Sequence, residues 1–218
     1  MTPIEKPPPG YAYISATLKG ATARMSPHER HKARECFEHY RGEFQRIAPE
    51  ASERVAYTVH LMVDEQMQRL ARTKNGRDVR CRKGCAACCH LSVDVFTHEA
   101  ELLWQFVKHE GLRVDEAKLA RQAAAADDAA WSALPAEDQR CVFLGDDNAC
   151  KVYEHRPGAC RKYTVKTDPE LCDMHKHPGG KVGIVFSHEA EIAHSAAMTV
   201  YGSGLMAAML LATRGLKE

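Results

Sequence analysis

Residues 77–106 read RDVRCRKGCAACCHLSVDVFTHEAELLWQF, and everything else in the chain is placed relative to them. Cys81-x3-Cys85-x2-Cys88-Cys89-His90 sets four thiols and an imidazole within ten residues. With Gly84 among them these cysteines do not read as helix, so residues 77–96 are expected to form loop with one short extended piece. Close Cys-x2/3-Cys spacing lets one loop aim two thiolates at one cation, with Gly84 freeing the backbone to bend. Adjacent cysteines point different ways, so Cys88 and Cys89 are expected to serve different sites, or one a metal and one the packing. Thr97 then caps a helix running through Leu102, Leu103, Phe106 and Val107 to Gly111.

A second group follows at Cys141-x8-Cys150-x9-Cys160-x11-Cys172. Its spacing is too wide for a ribbon knuckle. It reads as the completion of a site nucleated by the first group, tying two halves of the chain through metal. Eight thiols would fill two tetrahedral sites, or hold one iron–sulfur cluster with several to spare. All-thiolate ligation suits Zn(II), iron–sulfur and Cu(I) alike. The ninth cysteine, Cys36, falls within the first helix and reads as a small buried hydrophobe.

Outward from these groups the chain is ordinary. Its 218 residues are 44% hydrophobic and 27% charged, which excludes a disordered or fibrous chain. Thirty Lys and Arg against 29 Asp and Glu leave a formal charge of +1, so no overall field draws it to nucleic acid or an anionic membrane. Nine cysteines and twelve histidines are what stand out. No basic n-region with an apolar run opens the chain, so a reducing cytoplasmic setting is the expectation, and the odd cysteine count there favours metal or redox chemistry over disulfides.

Residues 1–25, with Pro7, Pro8, Pro9 and Gly10, read as an N-terminal arm, and residues 26–218 as one domain with its cysteine core at 77–180. Ser26, Pro27 and Glu29 write a capping box for a helix through Phe37, Tyr40, Phe44 and Ile47. A second helix follows through Val55, Val59, Met62, Val63, Met67 and Leu70, stopping near Asn75-Gly76, and the two are expected to pair antiparallel. Asp115 opens an alanine-rich helix to about Trp131. Lys181–Phe186 is a strand candidate, and Ser187 caps a last helix to about Thr213. Ser195–Thr213 carries no charge, but its glycines and small residues favour a buried helix over a membrane span. The fold class is therefore mostly α: one helical domain with two cysteine-rich irregular segments converging on a metal site, and at most a short β element.

Several further residues enter the candidate site. His90 is the best non-cysteine ligand. Arg156-Pro157 sets the turn before Cys160, with Arg156 available to a thiolate or carboxylate. Asp173, His175 and His177 form a second N/O set or a solvated loop, and His188 and His194 read as structural or surface. Arg72, Lys74, Arg77, Arg80, Arg82 and Lys83 suit the charge of a thiolate site, and without interleaved aromatics they disfavour nucleic acid. Cys81-x3-Cys85-x2-Cys88 also has radical-SAM spacing, but a chain with one credible strand cannot build that enzyme's barrel.

CRKGCAACCH followed by THEA, and then CVFLGDDNACKVYEHRPGACRKY, resembles the YkgJ-type cysteine-cluster family, the CxxCxxCC zinc- or iron-chelating domain. One extra residue precedes Cys85 relative to the usual first motif. The resemblance implies metal chelation, and it places Glu99 at the family's acid after the first motif, where it would ligate iron or hold a ligand by hydrogen bond; a first-turn acid complementing the helix dipole is the plainer alternative. The domain type is similar to one within flagellin lysine methylases. The leading expectation is a zinc- or iron-binding protein, iron–sulfur included, with Cys81, Cys85, Cys88, Cys89, Cys141, Cys150, Cys160 and Cys172 as ligands and His90 and Glu99 behind them. A metalloenzyme or methyl-transfer or redox accessory is the first alternative and a zinc-dependent nucleic-acid binder the second. A metal ion is the expected partner, a protein partner stays open, and no membrane partner is expected.

Overall fold

The structure is a computed structural model describing residues 22–23, 25–82 and 84–215, so the expected arm at 1–25 falls almost wholly outside the described residues. In chain order the helices are α1 (Pro27–Ile47), α2 (Ser52–Ala71), the single turn α3 (Lys74–Arg77) and, after strand β1 (Asp94–Phe96), α4 (Thr97–His109). Short helices α5 (Glu116–Ala123), α6 (Asp128–Ser132), α7 (Ala136–Gln139) and α8 (Gly158–Lys162) lead to strands β2 (Thr164–Val165) and β3 (Ile184–Val185). Helix α9 (His188–Tyr201), strand β4 (Ser203–Leu205) and α10 (Met206–Thr213) complete the described chain. The protein is mostly helical, with two antiparallel two-stranded sheets, β1 with β4 and β2 with β3.

Helix α1 begins as its cap residues require. Ser26 Oγ accepts from the Glu29 N–H at 3.3 Å while Glu29 Oε2 accepts from the Ser26 N–H at 2.7 Å, so two otherwise orphaned donors are satisfied. The partner of α1, however, is not chiefly α2. Helix α9 lies against both. Its buried residues, among them Ala190, Ile192, Ala193, Ala196, Ala197 and Met198, occupy most of its circumference, and a helix buried nearly all round must be covered from several sides.

Four other elements depart from the sequence expectation. The expected last helix is divided at Gly202, whose φ of 73° and ψ of 143° lie in a region open essentially to glycine alone. Strand β4 follows, with Gly204 opposite Val95 of β1. No described helix is long and apolar enough to cross a membrane. The alanine-rich segment is two helices because it holds two caps: Asp115 accepts from the Lys118 N–H at 2.9 Å, and Asp127 from the Ala130 N–H at 2.8 Å. Helix α2 ends at Ala71, and Asn75-Gly76 lies in α3, held by Thr73 Oγ1 accepting from the Gly76 N–H. Thr97 is the first residue of α4, not its cap, and its hydroxyl donates to the Tyr201 carbonyl at 2.8 Å.

Helix α4 touches two apolar clusters. Leu102 joins Phe44, Val59, Val63, Phe96 and Met198. Ala100, Leu103 and Val107 face Leu119, Phe143, Met206 and Leu210, and against this second cluster pack Cys141 and Cys150. The cysteine-rich segments are thus seated on the side of α4 away from α1.

Candidate metal centre

The first cysteine group is pinned from both ends. The Arg80 N–H donates to the Val165 carbonyl at 2.8 Å, and the Val165 N–H donates to Cys81 Sγ at 3.3 Å, so Cys81 lies beside β2. Gly84 turns the chain at φ 86°, and a 3₁₀ turn over Ala87–His90 carries Cys88 and Cys89. The Cys141 N–H then donates to the Cys89 carbonyl at 2.8 Å, which stitches the second group directly to the first. Between Cys141 and Cys150 the chain reverses through Asn148 at φ 59°, with Leu144 paired to Cys150 across an antiparallel bridge. Helix α8 carries Cys160. Cys172 ends a 3₁₀ turn (Pro169–Cys172) packed on the first one.

Cys81, Cys85, Cys88, Cys89, Cys141, Cys150 and Cys160 all line one cavity of about 260 Å³, with Leu91, Val93, Phe143, Leu144 and Met206 among its apolar walls. Cys88 and Cys89, expected to part ways, both face it, and their thiols are hydrogen-bonded to each other. Cys172 is buried just beyond this lining, hydrogen-bonded to Tyr163. Cys36 sits half-buried on α1, outside the cavity.

Electrostatics set this cavity apart. Burial, followed by the charges of neighbouring thiols, pushes Cys141 and Cys172 up to about 11. Cys160, an exposed residue at the cavity wall, is also raised well above its usual value, by the protein crowded around it and then by Cys141, Cys88 and Cys150. Cys88 is raised further, first by its bond to Cys89 and then by burial. Burial and Cys172 push the Tyr163 phenol up to about 12. The opposing positive charge on Cys88 and Cys150 comes from Arg156, and that on Cys141 from Arg140, not from the basic run before the first motif. Arg156 itself stacks over Tyr153 at 4.0 Å. So many sulfurs in an apolar setting fit a thiophilic cation, which alone would let several ionise together. Among the described residues, no three Cys, His, Asp or Glu side chains close into a formed ligand group; the sulfurs ring the cavity instead.

The non-cysteine candidates lie off the cavity. His90 stacks edge-on to His175 at 6.5 Å, with its Nδ1 buried and unpartnered, and its carbonyl accepts from Trp131 Nε1–H at 2.9 Å. Asp173 caps its own turn, accepting from the His175 and Lys176 N–H groups. Glu99 is 1% exposed and does not meet solvent as a dipole-compensating acid would. Its carboxylate accepts from His60 Nε2–H at 2.9 Å, the Gly158 N–H at 2.6 Å and the Phe96 N–H at 3.2 Å. Burial pushes that carboxyl up, but these bonds and the adjacent His60 and His194 outweigh it and hold Glu99 below the usual range. His194, read as structural or surface, is buried and held down at about 4, chiefly by burial. His60 carries no motif, and its one signal is its place on the apolar stripe of α2, between Ala56 and Val63.

Residues 80–178 match the family model CxxCxxCC, "Putative zinc- or iron-chelating domain". The chain carries a CxxCxxCC domain. The match begins one residue before Cys81 and ends six after Cys172, so the CxxCxxCC segment holds every cavity cysteine, and metal chelation is the property the domain brings. Helices α1, α2, α9 and α10 lie outside it. The comparison with curated proteins returned no match, and neither did the comparison with solved structures.

Proposed function

We propose that this protein holds a zinc or iron centre, iron–sulfur included, through the thiolates of Cys81, Cys85, Cys88, Cys89, Cys141, Cys150, Cys160 and Cys172. The observation that carries this reading is the convergence of seven cysteines, from segments more than fifty residues apart, on one cavity. When bound, such a centre supplies Lewis acidity or one-electron chemistry. The chain's own contribution is to gather the sulfurs, exclude water with Leu91, Phe143, Leu144 and Met206, and offset charge with Arg140 and Arg156.

The experiment is elemental analysis, with absorption and Mössbauer spectra, on full-length protein purified without oxygen. The expected result is stoichiometric metal: colourless if zinc, charge-transfer bands if iron. Metal-free protein would overturn the proposal. The volume of the cavity supports a second, catalytic reading, in which the centre keeps a site for an exchangeable ligand beside Arg82 and Arg156. A spectrum shifted by azide or cyanide would support that reading, and one indifferent to both would reject it.

A further inference from the structure

Helix α8 carries Cys160, yet at five residues, Gly-Ala-Cys-Arg-Lys, it is too short to be stable alone and has no apolar stripe to dock it. Three acids from three long helices grip it instead. Glu99 of α4 accepts from the Gly158 N–H at 2.6 Å. Asp64 of α2 accepts from an Arg161 guanidinium N–H at 2.6 Å, and the same guanidinium donates to the Arg156 carbonyl at 2.8 Å. Both carboxylate oxygens of Glu191, on α9, accept from Lys162 Nζ at 2.9 Å. Thus the residues flanking Ala159 and Cys160 are all tied down, each to a different element.

These contacts are mostly buried: the Glu99 and Glu191 side chains are 1% and 4% exposed, and those of Arg161 and Lys162 are 9% and 11%. Buried ion pairs contribute little net stability over apolar packing, but breaking one strands a charge. Two such pairs and one carboxylate-to-backbone bond around one turn therefore restrict its position far more than they strengthen the fold. We propose that Asp64, Glu99 and Glu191 are positioning residues that hold the Cys160 thiol at the cavity, and that helices α2 and α9, outside the matched segment, are in this way part of the metal site. The inference rests on Cys160 being a ligand.

The test uses full-length protein in two states. In the loaded state, Co(II) affinity is measured by chelator competition; in the metal-free, reduced state, the rate of Cys160 alkylation by iodoacetamide is measured by peptide mass spectrometry against Cys81 in the same molecules. Glu99→Ala and Glu191→Gln should each weaken Co(II) binding about 10–100-fold. Each should also change Cys160 alkylation about tenfold while Cys81 stays within about twofold, as expected for one locally released turn. Glu99→Gln keeps an oxygen for the Gly158 N–H and should restore most of both. If Glu99→Ala fails to fold, Asp64→Asn, at a side chain 34% exposed, reads the same selective change. Rates at Cys160 and Cys81 that move together, or neither moving in folded variants, would overturn the clamp. Wild type without metal but with a selective Cys160 response would refute the metal reading while leaving the clamp standing.

Discussion

Alanine at position 158 would put a methyl 2.6 Å from His194 Cδ2, 3.0 Å from its Nε2 and 3.4 Å from Glu99 Oε1. Real carbon contacts do not come that close, so the imidazole must move. Its room is small: His194 is 3% exposed, and its ring stands 6.4 Å from that of Phe96. Overpacking of this kind costs about 1–3 kcal/mol. Against it, alanine restricts the unfolded chain and favours helix over glycine by about 0.5–1 kcal/mol. The net is a loss of about 0–2.5 kcal/mol, centred a little above 1 kcal/mol, and for a chain of this length the central value lowers Tm by roughly 2–5 °C. Far-UV circular dichroism melts of wild type and Gly158→Ala, at one pH and one metal loading, measure it. A Gly158→Ala, His194→Ala pair should show favourable coupling of about 1 kcal/mol, since the second change removes the obstacle. A Gly158→Ala protein more stable than wild type would refute the packing described around Glu99.

His194 carries a pH signature: its folded value is about 4 against 6.5 ordinarily, so between those limits the unfolded chain binds a proton that the native one does not. Stability should be level above pH 6.5 and fall by up to about 3 kcal/mol as pH drops to 4, with Glu99, itself held low, adding loss below that. Urea midpoints across this range should show a shallower fall in His194→Gln. Gly202→Ala has open space for its methyl, 3.8 Å from Thr97 Oγ1, but not the backbone angles; it should cost about 1–3 kcal/mol, read by thermal melt. Cys36→Ser, outside the cavity, should leave metal content unchanged by elemental analysis.

What the sequence made legible was local or strongly patterned. The α1 cap could be read because Ser26, Pro27 and Glu29 satisfy one another within four residues. The mostly helical class and the gathering of both cysteine groups followed from periodicity and from thiols set among turn-formers. The break at Gly202 was hidden because a glycine within an apolar run is tolerated in buried helices, and only pairing of β4 with β1 requires the bend. That α1 and α2 would both lean on α9 depends on contacts more than a hundred residues distant. The cluster of His60, Glu99 and His194 draws on three helices, and a histidine on a helix face gives no sign of the carboxylate it will meet.

Counting metal in anaerobically purified full-length protein, beside Cys88→Ser and Cys160→Ser, one substitution from each segment, decides whether the two cysteine groups grip one centre. Stoichiometric zinc or iron is expected in the parent, with a clear loss in both variants. Full metal content retained in either variant would show that its thiol is no ligand and overturn the eight-cysteine site.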